Sequence, residues 1–291
     1  MWYFILIVSE IQAKKQQKVM DDIEKFPYYK RMIGFLIKKT FFDLWDNMFR
    51  IVLLNLGFIV SLFIPVIIPG YIPIPILSIA VAAVGALWCF IYLAAAALSV
   101  KAISDYGAFG FADFRANLKV GWPAGMILAL AGFVLVLVIR IIIPFYLDMG
   151  SLFGLLLAAV IFWSLVLALV SFQFFFAIRA RLDTKPIKII KKCFIIFFDN
   201  PGFAIFSLLY TLVTLVISVI FALLLPGPAG LLLFLDEGLR LRLLKYDWLE
   251  ENPPTADSPK RQRIPWDALL IEEREKTGSR TLRNFIFPWK D

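Results

Sequence analysis

Five stretches of about twenty or more almost wholly apolar residues divide this chain, and each is long enough to cross a hydrocarbon layer as a helix. They cover approximately residues 51–69, 74–99, 123–146, 152–178 and 203–225. The connection "PGYIP" between the first pair, and "LDMGS" between the third and fourth, are too short for anything but antiparallel hairpins. A bilayer leaves no water for an unpaired backbone group, so runs of this length predict helices. The predicted fold is all-α, a polytopic membrane helix bundle. Composition agrees, because 61% hydrophobic residues and a mean hydropathy of +0.82 exceed what soluble domains carry.

Lys and Arg orient the bundle. Nine precede the first span, three lie between the second and third and six between the fourth and fifth, whereas the two tight turns hold none. The positive-inside rule then places the amino terminus and both long loops in the cytoplasm. Eight further basic residues follow residue 259, and they share that side only if the chain crosses a sixth time. The stretch "PGPAGLLLFLDEGLRLRLL" (226–244) supplies the candidate, with "PGPAG" as a third outer turn and a helix from Gly227 to Lys245. The expected architecture is therefore six transmembrane helices arranged as three hairpins. Energetics object: a charge at mid-membrane costs about 2.5–3.5 kcal/mol and each Leu or Phe returns only about 0.3–0.6. Asp236, Glu237, Arg240 and Arg242 must then face protein, water or each other. A re-entrant or interfacial helix is the alternative reading of 226–246.

Arg140, in "VLVLVIRIIIPFY", is the one basic residue deep in the five clear spans. It stands about 9 Å before Tyr146, and Asp236 about 14 Å beyond the third outer turn. This suggests a buried ion pair of Arg140 with Asp236 or Glu237, with Arg240 nearby. The plainer alternative has Arg140 snorkelling towards Asp148 while Asp236 and Arg240 form an ordinary i, i+4 pair.

"KKTFFDLWDN" begins at Lys38 and "KKCFIIFFDN" at Lys191, an offset of 153, and each leads into a span. "FADFRANLKVGW" (111–122) stands between them. The pattern reads as three units, each an interfacial elbow helix followed by a hairpin. In the first elbow Ile37, Phe41, Leu44, Met48 and Val52 share one face, and Lys38, Lys39, Asp43, Asp46 and Arg50 the other. Boundary lysines and turn-forming Asp-Asn pairs would give the same pattern without any repeat.

These residues carry a resemblance. "NLGFIVSLFIPVIIPG" (55–70), the elbow at 111–122 and "FFFAIRARLDTKPIKIIKKCFIIFFDNPG" (174–202) resemble the YesL-like membrane proteins of bacteria, a family without an established activity. The resemblance covers residues 38–246. It implies a location in the bacterial cytoplasmic (inner) membrane and an accessory role beside a transport system, carbohydrate uptake among them. The chain after Lys245 departs from the family pattern.

The domain reading is a cytoplasmic N-terminal segment (1–31), a six-span membrane domain (32–246) and a cytoplasmic tail (247–291). "MWYFILIV" is too short to span and lacks the basic lead of a signal peptide, with Met20 as an alternative start. In the tail, "ENPPTADSPKRQRIP" reads as an extended linker and "PWDALLIEEREKTG" as a short amphipathic helix opened by Pro265 and stopped by Gly278. Phe285, Phe287 and Trp289 form a candidate docking patch, for the chain's own elbows, the membrane surface or a cytoplasmic partner.

Without histidine, imidazole bases and histidine-ligated metals are excluded, and Cys89 and Cys193 lack a metal or redox spacing. The expectation is no enzyme, no cofactor and no metal. The net charge of +8 suits orientation and anionic lipid rather than nucleic acid. An accessory or scaffold protein, partnered by the bilayer and by a transporter subunit or a cytoplasmic protein, leads the functional reading. A small-solute transporter or channel built on the Arg-carboxylate site comes second, and an enzyme acting on lipid third.

Overall fold

A computed structural model of the chain describes residues 28–253, 264–278 and 280, with side chains from residue 32 onward. Among the described residues all regular structure is helical, and five helical segments are long and apolar enough to cross a membrane: Met48–Tyr71, Pro75–Ser104, Phe111–Asp148, Leu152–Arg181 and Pro201–Ile220. The expected polytopic helical bundle is present. The described residues form two compact units, one of Thr40–Arg242 and the other of those within 28–39 and 243–280, and the boundaries fall within helices.

Helix α1 (Tyr28–Asp46), which enters the larger unit at Thr40, ends at the Asp-Asn pair and α2 (Met48–Val66) begins after it. Asn47 breaks the helical path with φ −112° and ψ 20°. The second Asp-Asn pair does the same work: α8 (Pro186–Asp199) stops and α9 (Pro201–Ile220) starts around Asn200, at φ −135° and ψ 58°. Between them come α3 (Pro75–Ser104), α4 (Phe111–Leu137), a π-helical turn at Val138–Ile142, α5 (Ile143–Asp148), α6 (Leu152–Phe172) and α7 (Phe175–Arg181). The middle elbow differs from expectation. "FADFRANLKVGW" is not a separate helix but the first three turns of α4, which continues through Pro123.

Small residues let these helices approach closely, as helices in lipid require. Gly125 lies against the backbone of Ile91, where a Cβ would stand 2.5 Å from the Ile91 Cα. Gly121 meets Ala94 and Ala95 in the same way. The first hairpin is tied by hydrogen bonds from Trp88 Nε1 to Ser61 Oγ (3.0 Å) and from the Tyr92 hydroxyl to the Leu54 carbonyl (2.9 Å). Ile51, Leu54, Tyr92, Ala96, Val100, Ile103, Ala229 and Leu233 form the core.

Burial corrects the predicted faces of the first elbow. Lys39, Thr40 and Asp43 are buried, whereas Trp45, Met48 and Phe49 point outward. A lipid-facing surface accepts apolar side chains, so polar groups turn inward to find partners.

The last long helix, α10 (Gly227–Glu251), has 25 residues, six more than expected. It runs antiparallel to α9: Tyr210 stacks on Phe234 at 3.8 Å between ring centroids, and the Gly227 amide donates to Ser218 Oγ at 3.0 Å. The fifth span ends at Ile220, five residues sooner than expected, because the chain turns at Ala222 and Leu223, both with positive φ.

In the smaller unit the predicted tail helix forms as two pieces, α11 (Trp266–Leu269) and α12 (Ile271–Thr277), ending at Gly278 with φ +80°. Trp266 and Leu270 are buried, while Ile271 is exposed. Lys38 Nζ donates to the Gly278 carbonyl at 3.2 Å. Burial, reinforced by the charges of Arg274 and Arg280, holds the Lys38 ammonium below its ordinary pKa. The candidate docking residues Phe285, Phe287 and Trp289, and the amino-terminal residues 1–27, lie outside the described residues.

Candidate functional site

Two polar clusters lie in the larger unit, and both gather on α10. The first is at its amino end. A helix beginning inside a membrane exposes amide groups that neither water nor lipid can satisfy. Asn55, fully buried in α2, meets that need: its Oδ1 accepts the Ala229 amide at 2.8 Å, and its Nδ2 donates to the carbonyls of Leu224 and Pro226, each at 2.9 Å. One amide side chain thus serves three backbone groups of an irregular turn. Gly227 sits against it with φ +60°, where any Cβ would collide with the Asn55 amide.

The position of this turn matters. Asn55 stands seven residues past Met48, about 10 Å along the helix axis, and fifteen residues, about 22 Å, before the first hairpin's tip at Gly70. The turn between α9 and α10 packs at the level of Asn55 rather than at that of the tip.

Nine residues beyond Gly227, Asp236 is 2% exposed and is gripped by Arg181. The guanidinium reaches Asp236 with Nε to Oδ1 at 2.9 Å and Nη2 to Oδ2 at 2.5 Å, a bidentate fork. The same guanidinium donates to Ser104 Oγ at 2.8 Å and to Asp105 Oδ1 at 2.9 Å. Arg240, one turn after Asp236, donates to the Ser104 carbonyl at 2.6 Å and to Asp105 at 2.7 Å, and Lys101 reaches Asp105 at 2.8 Å. Glu237, fully buried, accepts a hydrogen bond from the Thr40 hydroxyl. Arg242 lies over the Phe203 ring at 4.5 Å. This clasp joins the end of the second span, the end of the fourth and α10, and sets them on one side of the unit.

At Asp105, just past the second span, burial favours the neutral acid. The Lys101 hydrogen bond and the Arg181 charge outweigh it and hold the carboxyl below the ordinary carboxylate range. Cys193, buried in α8, has its thiol pushed up to about 12 by burial, so it stays protonated and inert.

Asp236, Glu237 and Arg240 are thus in the cluster, and Arg140 is not. The proposed pairing of Arg140 with Asp236 is replaced by Arg181 with Asp236. Arg140 is exposed on the π-helical turn of the third span and, among the described residues, has no ion pair. The physical reason is depth. The turn lies beside Asn55, so nine residues of helix carry Asp236 back to the level where Ser104 ends one span and Arg181 another. The charges therefore avoid mid-membrane and its cost. In the sequence Arg181 reads only as one of six loop charges and Asn55 only as part of a motif. The signal for Asn55 was present, as the one amide in "IVLLNLGFIV".

An apolar hollow of about 420 Å³ lies along α6, lined by Leu156, Ala159, Val160, Trp163, Ser164 and Leu167. The Ser164 hydroxyl is turned into its own helix, donating to the Val160 carbonyl. Among the described residues, no group of His, Cys, Asp and Glu side chains has the arrangement of a metal site. No protein-family model, curated protein or solved structure matches this chain.

Proposed function

We propose that this chain is a multi-pass accessory or scaffold protein of the bacterial cytoplasmic membrane, acting beside a transport system, with both ends of the chain in the cytoplasm. One observation carries the reading: the two polar clusters on α10 hold helices together. Asn55 fixes a turn, and Arg181, Arg240, Asp236, Asp105 and Ser104 bind two helix ends and the middle of α10 into one clasp. A pathway for a solute needs polar groups free to exchange partners, whereas a scaffold needs them fixed. The resemblance of residues 38–246 to the YesL-like proteins supports the same reading, as does the basic character of the loops that follow the second and fourth spans. In topology, α10 is the return arm of a third hairpin whose turn stops beside Asn55, a shorter excursion than a complete sixth crossing. Purification in mild detergent, with mass-spectrometric identification of the proteins retained, tests the role. A transporter subunit recovered in constant proportion is the expected result, and a solitary protein with solute uptake activity in vesicles would contradict it.

A second reading, a small-solute transporter, has one observation in its favour. Ser207 Oγ and Thr211 Oγ1 are buried on one face of the fifth span, and among the described residues neither has a hydrogen-bond partner. Uptake of a labelled solute by vesicles containing only this protein, lost in Ser207→Ala with Thr211→Val, would establish that reading.

A further inference from the structure

We infer that the outward face of α8 is a docking surface for anionic phospholipid. The helix bridges the fourth and fifth spans, so it lies where the bundle leaves the hydrocarbon. Its inner face is settled: Ile189, Cys193 and Ile196 are buried, and Phe194 meets Phe172 edge-on at 5.9 Å. Its outer face carries the adjacent pair Ile187 and Lys188, followed by Lys191, Ile195 and Phe198 at steps of three or four residues along one side. Ile187 is 82% exposed, Ile195 49% and Phe198 64%, and both lysines are exposed.

Neither water nor hydrocarbon suits such a face. Three large apolar side chains favour leaving water, and two ammonium groups resist entering lipid tails. The boundary between headgroups and acyl chains satisfies both, with Ile187, Ile195 and Phe198 inserted and the lysine stems lying along them to reach phosphate oxygens. Charge chooses the lipid, since two neighbouring ammonium groups attract a headgroup of net negative charge. Lys192 is turned away from this face, 3.5 Å from Asp183. The next helix, α9, also exposes apolar side chains, at Ile205, Leu209 and Leu212.

The test uses the full chain reconstituted in vesicles of phosphatidylcholine with phosphatidylglycerol, extracted gently, with bound lipids counted by native mass spectrometry. The expected result is a severalfold enrichment of phosphatidylglycerol over its share of the vesicle. It should be lost in Lys188→Gln with Lys191→Gln and kept in Lys188→Arg with Lys191→Arg. No enrichment, or enrichment unchanged by the glutamine pair, would overturn the inference. Should the glutamine variant fail to fold, wild-type protein melting at the same temperature with and without phosphatidylglycerol would overturn it as well. Displacement of the lipid by millimolar inorganic phosphate would assign the face to free anions instead. Capture of an acidic peptide in pure phosphatidylcholine vesicles, without lipid enrichment, would assign it to a protein.

Discussion

The Asn55 side chain accepts the Ala229 amide at 2.8 Å, across 174 positions of sequence, and so joins the first span to the opening turn of α10. An unsatisfied buried polar group costs about 1–3 kcal/mol, and three backbone groups depend on this amide. Asn55→Leu is therefore expected to destabilise by at least about 2 kcal/mol and to lower accumulation. Tyr92→Phe, which removes a single bond to the Leu54 carbonyl, should cost about 1 kcal/mol. Thermal melting in detergent, run on both variants side by side, checks the order.

Gly227 tests the same junction from the other strand of the turn. Its φ of +60° costs a non-glycine residue about 1–2 kcal/mol, and its Cβ would strike the Asn55 amide. Gly227→Ala should therefore melt well below Gly150→Ala. Gly150 shares the φ of +60°, but its Cβ would meet nothing within 4 Å. Equal melting of the two variants would show that contact with Asn55 is unimportant.

The clasp predicts a pattern across variants. Removing one partner of a buried pair strands the other charge, at about 3–5 kcal/mol, while replacing both by apolar groups is often neutral. Arg181→Met and Asp236→Leu should each reduce folded protein sharply, and the double variant should recover much of it. Arg140→Gln should not lower the amount of folded protein, because among the described residues Arg140 has no ion-pair partner to strand. Rescue of Asp236→Arg by Arg140→Asp would contradict the structure and restore the pairing that sequence spacing suggested.

Asp105 gives the clasp a pH dependence of known sign. Its carboxyl titrates below the ordinary range in the folded protein, because Lys101 and Arg181 favour the charged form over the effect of burial. A depressed acid stabilises the fold above the unfolded pKa of about 3.9 and loses that contribution as pH falls through the folded value. Melting temperature should be insensitive to pH near neutrality and fall in acid below about pH 4. Asp105→Asn should be less stable at neutral pH and show a flatter acid limb.

Much of this architecture was legible in the residues. Apolar runs located the five long helices, and the paired "DN" motifs 153 residues apart marked two helix breaks that the structure places at Asn47 and Asn200. The middle elbow was misread because Trp122-Pro123 resembles a boundary, yet proline within a helix leaves its path unbroken when neighbouring helices support it. The site was half legible. Asp236, Glu237 and Arg240 stood out as charges in an apolar helix, but a span's length does not give its depth. A turn at the outer surface would bring Asp236 near Arg140. With the turn beside Asn55, Asp236 reaches Arg181 instead. No local pattern announces a contact between residues 55 and 229, because it depends on how three hairpins pack.

The central claim is that α9 and α10 form a return hairpin, so that the charged stretch comes back to the side where the second and fourth spans end. The most direct measurement is labelling of single cysteines in intact cells with a membrane-impermeant thiol reagent, in a chain whose Cys89 and Cys193 are replaced. Cysteines at Gly70 and Gly150 should react from outside, and a cysteine at Glu250 should react only after the cells are opened. Labelling of residue 250 in intact cells would place the end of α10 on the opposite side and contradict the account.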